Sequence, residues 1–291
     1  MKRYFKITFT LFVINSFNSP ALADSLNWVG CGISKDGFMQ ELAIAYEKKT
    51  GVTIKLRGGG AQKGIRDVSR ARADLGGTCR HKVDVPEEAN AKLHHVAWDA
   101  LVVIVSKNNP IKSISLEQIR QIFTGKITNW KNLNGINARI ELIVRKGKTS
   151  GVGLTAREML FQNPDLDFHP ISENPRSSEV VEFLIGKRVN AIGLTGVSSA
   201  KRKTTLKMVP ISGVFPAKRN IISGQYPFFR PLYLVTNKKV SGEVQKFVEF
   251  ALSKEGQTVI SRNGTVNLLE GRYLKAMFMN KYYGQYFKEL K

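Results

Sequence analysis

Apolar positions along this chain recur with two different periods, and segments of the two kinds take turns. Residues 27–31 set Trp28 and Val29 before Gly30-Cys31-Gly32-Ile33-Ser34, which predicts a short strand running into a glycine-rich bend. Phe38, Leu42, Ala45 and Tyr46 follow at i, i+4, i+7 and i+8, one apolar face of a helix. Next come a strand over 53–56, the turn Gly58-Gly59-Gly60, a helix carrying Ile65 and Val68, and a short strand with a turn over 73–78. The run 95–105 is apolar except for Asp99 and predicts a buried strand, closed by Pro110. Ser115-Leu116-Glu117-Gln118 is a capping box for a helix bearing Ile119, Ile122 and Phe123.

In the second half Ile140, Leu142 and Val144 lead into Arg145, a turn rich in glycine and hydroxyls, and a helix over 154–161. A helix over 178–185, a short strand over 191–194 and a second long strand over 228–235 follow, then a Ser241-capped helix with Val244, Phe247, Val248 and Ala251. Residues 272–291 mix Tyr282, Tyr283, Tyr286 and Phe287 with lysines, which predicts an amphipathic terminal helix packed on its lobe. The alternation predicts an α/β protein rather than an all-α or all-β one. The two long strands are far apart in sequence and are expected to cross between two lobes, with a ligand cleft between them.

Composition narrows the compartment. Lys2, Arg3 and Lys6 precede a mainly apolar stretch over 7–17, and Ala21-Leu22-Ala23 fits the small-residue cleavage rule. Residues 1–23 therefore read as a secretory leader, with a mature chain starting at Asp24 and a periplasmic destination. The stretch is too short to span a bilayer, and no later segment offers ~20 consecutive apolar residues. Gly30-Cys31 is not read as a lipid attachment site, because Asp24 and Asn27 interrupt the apolar approach. The net charge of +22 favours anionic partners of any size. Its basic residues are scattered rather than blocked, and export sets nucleic acid aside. Cys31 and Cys79 form an even pair that an oxidising compartment can join, although a core of this size equally holds two free buried thiols.

Catalytic and metal signatures are missing from the spacing. Gly58-Gly59-Gly60-Ala61-Gln62-Lys63-Gly64 lacks the Gly-Lys-Ser/Thr ending of a nucleotide loop, and no Gly-x-Ser-x-Gly elbow places a nucleophile. His81, His94, His95 and His169 show no metal-ligand spacing, so neither metal nor cofactor nor enzymatic activity is expected. Trp98, Trp130, Phe228, Phe229 and Tyr233 read as core, and Asp99 as a structural residue that needs a basic or backbone partner. What remains is the segment 144–153. The first N–H groups of a helix have no carbonyl partner and carry partial positive charge, and an arginine adds a fork of permanently charged donors. Such a turn suits an oxyanion. Taken alone, it fits an ordinary connection with a surface arginine equally well.

Further motifs fall in order along the chain. They are Gly30-x-Gly32-x-Ser34, Gly64-Ile65 opening onto Ala73-Asp74-Leu75-Gly76, and Asp99-Ala100-Leu101-Val102-Val103-Ile104-Val105 with Pro110. Ile122-Phe123-Thr124-Gly125-Lys126-Ile127-Thr128-Asn129-Trp130 is the most specific. Arg145 with Ser150-Gly151, Ala191-Ile192-Gly193, Tyr226-Pro227 and Ser253-x-Glu255-Gly256-Gln257 complete the series. In this order and spacing, over nearly the whole mature chain, the sequence resembles the periplasmic phosphate-binding proteins that serve ABC transporters.

That resemblance implies a two-lobed type II periplasmic binding protein fold with crossover strands at the hinge. Residues 24–104 and 228–291 would form one lobe and 105–227 the other. It further implies a monomer that captures a small tetrahedral oxyanion, phosphate first, with a membrane permease and its ATPase as partners. Carried over by position, the ligand contacts are Ser34 in the first loop, Gly60 and Ala61 in the second, and Cys79 and Arg80 after the third strand. Arg145, Thr149, Ser150 and Gly151 supply the arginine loop. The chain departs from the family pattern in four places. Gly60 and Ala61 stand where a serine is usual, Cys79 where Ser or Asp is common, the arginine loop is one residue longer, and Val152 replaces a threonine. These changes remove hydroxyl contacts and shift the expected burden to Arg80, Arg145 and backbone N–H groups. Sulfate, molybdate or an organophosphate stay open as ligands, as does an envelope interaction role without solute binding. The implied fold sets the first and third strands side by side, so a Cys31–Cys79 disulfide is expected near the cleft.

Overall fold

The computed structural model describes residues 25–240 and 242–282. The expected leader, the Ser241 cap and residues 283–291 lie outside the described residues. Strand β1 (Ser25–Gly30) leads through the single turn α1 (Gly32–Ser34) and a π-helical turn (Lys35–Met39) into α2 (Gln40–Thr50). Then come β2 (Thr53–Gly58), α3 (Gly60–Ser69), β3 (Leu75–Thr78), the long β4 (Ala91–Ser106), α4 (Leu116–Phe123) and β5 (Glu141–Leu142). α5 (Gly151–Ala156) continues as a π-helical turn (Arg157–Phe161) and is followed by α6 (Ser178–Lys187), β6 (Ala191–Gly196), α7 (Val197–Ala200) and β7 (Leu206–Val209). The chain closes with α8 (Lys218–Ile222), β8 (Phe229–Asn237), α9 (Gly242–Leu252), α10 (Lys254–Arg262), β9 (Val266–Asn267) and α11 (Leu274–Tyr282).

Local signals explain many of these boundaries. Ser115 Oγ accepts from Gln118 N at 3.0 Å while Gln118 Oε1 accepts from Ser115 N at 2.8 Å, the expected capping box at the start of α4. Ser177 caps α6 and Ser253 caps α10 in the same way on one side only. Leu274, Phe278 and Tyr282 are buried, so α11 packs by its apolar side as its pattern predicts.

Hydrogen-bonded strands run in the order β2-β1-β3-β8-β4-β6-β5, with β7 and β9 also on β4. β1 is parallel to both neighbours, with Gly30 opposite Gly58 on one side and Gly77 on the other. The strand ends that open into α1 and α3 therefore lie side by side. β4 belongs to both sheets. Residues 91–100 pair with β8, residues 101–105 with β6, and residues 103–106 with β7. β8 starts at the same level, where Leu101 N donates to Phe228 O and Tyr226 Oη donates to Leu101 O, each at 2.9 Å. The outcome is two α/β lobes joined through β4 and the entry to β8, the hinge arrangement that the resemblance implied.

The second half of β4 is a continuous apolar run because it is covered on both faces. Trp98, Trp130, Phe228, Phe229 and Tyr233 are all buried in the core, as expected. Asp99 finds both kinds of partner: its carboxylate accepts from Ser198 N at 2.9 Å and Ser198 Oγ at 2.7 Å, and pairs with Arg230 at 3.1 Å. The strand expected to reach Arg145 is shorter than its apolar pattern. β5 stops at Leu142, after which Val144 N and Lys146 N donate to Glu173 O and Pro175 O, so another loop takes over the pairing. The helix after it starts earlier, at Gly151. Among the described residues no helix is long and apolar enough to cross a membrane, and no group of three or more His, Cys, Asp or Glu is placed to hold a metal.

Candidate anion site

Ligands of open α/β sheets lie beyond the carboxyl ends of the strands, where helix N-termini face outward. Here α1 follows β1, α3 follows β2, and α5 comes over from the other lobe. Gly60 opens α3 with φ +85°, a left-handed conformation, and a β-carbon on it would come within 3.0 Å of Arg145 Nη2. A β-carbon on Gly151 would stand 2.6 Å from Cys79 Sγ and 2.9 Å from Ala61 Cβ. Only a glycine at the start of α5 lets that turn press against the end of β3 and the start of α3. Thr155 Oγ1 adds a 3.3 Å hydrogen bond to Cys79 O. Gly60, Ala61, Cys79, Arg145 and Gly151, residues that the resemblance named, are thus brought together.

Arg145 is half-buried and donates through Nη1 to Pro175 O at 3.0 Å, which aims the guanidinium. Burial pulls its pKa below the usual value, while Cys79, Cys31 and Glu179 push the other way. An arginine keeps its charge at neutral pH under such opposing effects. Ser150 is the N-cap of α5 and buried, yet its Oγ has no hydrogen-bond partner among the described residues. A buried hydroxyl left unpaired costs about 1–3 kcal/mol, so its presence marks a place where a ligand atom is welcome. Thr149 stands half-buried at the rim of the same loop. Ser34 is fully buried, and its hydroxyl donates to Cys31 O at 3.0 Å, so its proton must turn away from the loop to reach an anion.

Two expectations are corrected. Arg80 does not face the cleft. It is buried and pairs with Glu88 through two bonds of 2.9 and 2.6 Å, while donating to His81 O at 2.6 Å and, through Nε, to Thr149 O at 2.9 Å. A fully buried guanidinium needs a matching carboxylate, and Glu88 supplies it, leaving Arg80 to brace the arginine loop from behind. The Cys31–Cys79 disulfide is absent. Both are free buried thiols, hydrogen-bonded to each other. Cys31 Sγ is used as the cap of α1, accepting from Ser34 N at 3.4 Å, and burial of both sulfurs keeps an exchange partner away. Burial pushes the Cys31 thiol up, and the hydrogen bond from Cys31 lowers Cys79.

Two residues that the sequence reading passed over belong here. Glu179, in the first turn of α6, approaches α1 so closely that a β-carbon on Gly32 would lie 2.8 Å from Glu179 Oε1. Arg230 is buried beside the cysteines, with Nε and Nη2 on Asp99 and Nη1 unpartnered among the described residues. Burial works to lower its pKa, but Cys79 and Asp99 outweigh burial and raise it. An acidic first-turn residue and an apolar-flanked arginine are visible in sequence, but their approach to the cleft is a product of lobe packing.

A family model described as a PBP superfamily domain matches residues 29–255. The phosphate-binding protein PstS of Bacillus subtilis (strain 168) is 28% identical over 238 residues, covering 78% of this chain and 77% of that protein. The PstS of Borreliella burgdorferi is 26% identical over 251 residues, covering 82% and 89%. The solved structure of a phosphate ABC transporter substrate-binding protein from Clostridium perfringens, with bound phosphate, superposes with a TM-score of 0.75. It is 27% identical and covers 84% of this chain and 99% of that one. With two lobes hinged on β4 and the matched region spanning both, the chain belongs to the PBP superfamily, as an extracytoplasmic, non-catalytic binding protein of the type II fold.

Proposed function

We propose that this protein captures inorganic phosphate between its lobes and hands it to a membrane permease driven by an ATPase. The observation that carries this reading is the meeting of the starts of α3 and α5 beside Arg145, with the buried Ser150 hydroxyl left unpaired in the same loop. Arg145 supplies the neutralising charge, and the N–H groups of Gly60, Ala61 and Gly151 together with the hydroxyls of Ser34, Thr149 and Ser150 fix a tetrahedral shape, the Ser150 N–H being spent on Gly147 O. The thiol of Cys79 closes the floor of the site. Closure of the two lobes then follows from the anion touching both.

Glu179 argues for phosphate over sulfate. A carboxylate repels an anion that carries no proton, but accepts a hydrogen bond from one that does, and near neutral pH phosphate is protonated while sulfate is not. The similar proteins of Bacillus subtilis and Clostridium perfringens are phosphate binders by name or by bound ligand, which supports the same choice. We place the leader at residues 1–23, removed after Ala23 to leave the chain in the periplasm. We divide the remainder into 24–104 with 228–291 as one lobe and 105–227 as the other, a division that the change of partners along β4 supports. Calorimetry with phosphate, sulfate, molybdate and a phosphomonoester tests the reading. Phosphate is expected to bind most tightly. A tighter competitor would reassign the ligand, and no heat from phosphate at millimolar levels would overturn phosphate capture.

A further inference from the structure

A second cavity of about 220 Å³ lies at the hinge, away from the residues of the anion cradle. Trp98 and Val266 wall it from one lobe, and Met208, Phe215 and Ile221 from the other. A molecule inside it would touch both sides of the hinge. Two polar groups break the apolar lining. Thr265 is buried, and its Oγ1 has no hydrogen-bond partner among the described residues, an arrangement as costly here as at Ser150. Lys201 shares that lining and touches the two residues before Thr265: its Nζ donates to Asn263 O at 2.8 Å and would meet a β-carbon on Gly264 at 3.0 Å. That leaves two ammonium protons unassigned by the protein bond.

Charges of both signs act on Lys201. Arg202 and Lys218 repel the charge of Lys201, and Lys218 is itself held by Glu270 and Ser261. Burial, the leading cause, lowers the Lys201 pKa; Asp99 comes next and pulls it up, while the like charges of Arg202 and Lys218 lower it further and Asp36 raises it. An anion at this point relieves both effects. A chamber of this size is below the range of drug-sized pockets and fits a body of a single ring or a short branched chain.

We propose that the hinge cavity is a second ligand site, for a small monocarboxylate whose apolar body fills the chamber while its carboxylate meets Lys201 and the Thr265 hydroxyl. The site is independent of phosphate, so it is tested without phosphate present. Phenylacetate serves as the probe and 2-phenylethanol as its uncharged counterpart, read by saturation-transfer NMR and calorimetry on the mature protein. Phenylacetate is expected to bind in the millimolar range or tighter and at least about fivefold more tightly than the alcohol. Lys201→Met, which keeps an unbranched stem and removes the charge, removes that preference. Ala217→Phe, which fills the chamber from the start of α8, removes binding of both, with the fold checked by its melting curve. Failure of phenylacetate to bind up to about 10 mM, equal binding of the alcohol, or full binding by either variant overturns the proposal.

Discussion

Asp99 and Arg230 face each other across β4 and β8, fully buried and 3.1 Å apart, one residue pair before β4 changes sheets. The same carboxylate takes two bonds from Ser198, at the start of α7, so one side chain ties three elements together at the hinge. Removing one partner leaves the other charge buried without compensation. Asp99→Leu is therefore expected to cost about 3–5 kcal/mol in chemical denaturation, and the double change with Arg230→Met to cost less than the sum of the singles. Strictly additive losses would show that the pair does not act as a unit.

Glu179 is the acidic side chain of the proposed anion site, close against Gly32. Glu179→Gln keeps the shape but exchanges the obligate acceptor for a group that can also donate. Phosphate binding is expected to weaken and the gap between phosphate and sulfate to narrow by about tenfold, as for loss of one charged hydrogen bond. Competition calorimetry near neutral pH measures it, and an unchanged gap removes Glu179 from the account of selectivity.

His94 and His95 lie on β4, His95 with its ring edge-on to Trp98 at 4.5 Å. Burial is the leading cause that lowers both from 6.5 to about 4. Between these values the unfolded chain binds more protons than the folded one, so stability is full above about pH 6.5 and is lost as pH falls towards 4. Denaturation midpoints are expected to drop from about pH 7.5 to about pH 5, less steeply in His95→Gln. A wild-type midpoint that rises on acidification would reverse the assignment.

The thiol state is directly countable. Unfolding the mature protein without reductant and titrating with a thiol reagent is expected to find two thiols per chain, Cys31 and Cys79. Finding none would restore the disulfide.

The sequence shows what lies within one turn or one strand. The Ser115–Gln118 box is legible because both partners sit on adjacent turns, and β4 because an apolar run of its length needs cover on both faces. Gly60 and Gly151 sit at helix starts, where backbone donors are unpaired, and Arg145 lies in the loop before α5. The Arg145 segment alone fits an ordinary connection equally well, so the three are legible as a cradle through the ordered motifs of the resemblance. Arg80 is not, since its fate depends on Glu88 folding back through the Pro86–Glu88 turn to meet it. Glu179 and Arg230 are missed for a related reason: their approach to the site is set by how the lobes meet, which no local spacing encodes. The free cysteines follow the same logic. Neighbouring strands bring them together, but the sulfur of Cys31 is spent on the cap of α1, a use visible only with the helix in place.

The central claim is that Arg145 holds an anion shared by both lobes. Titrating inorganic phosphate calorimetrically into the mature protein and its Arg145→Ala variant tests it most directly. Loss of a charged hydrogen-bond partner predicts a weakening of about 1.5–3 kcal/mol, or at least about tenfold, with the melting temperature of the unliganded protein little changed. Equal phosphate affinity in the two proteins would contradict the account.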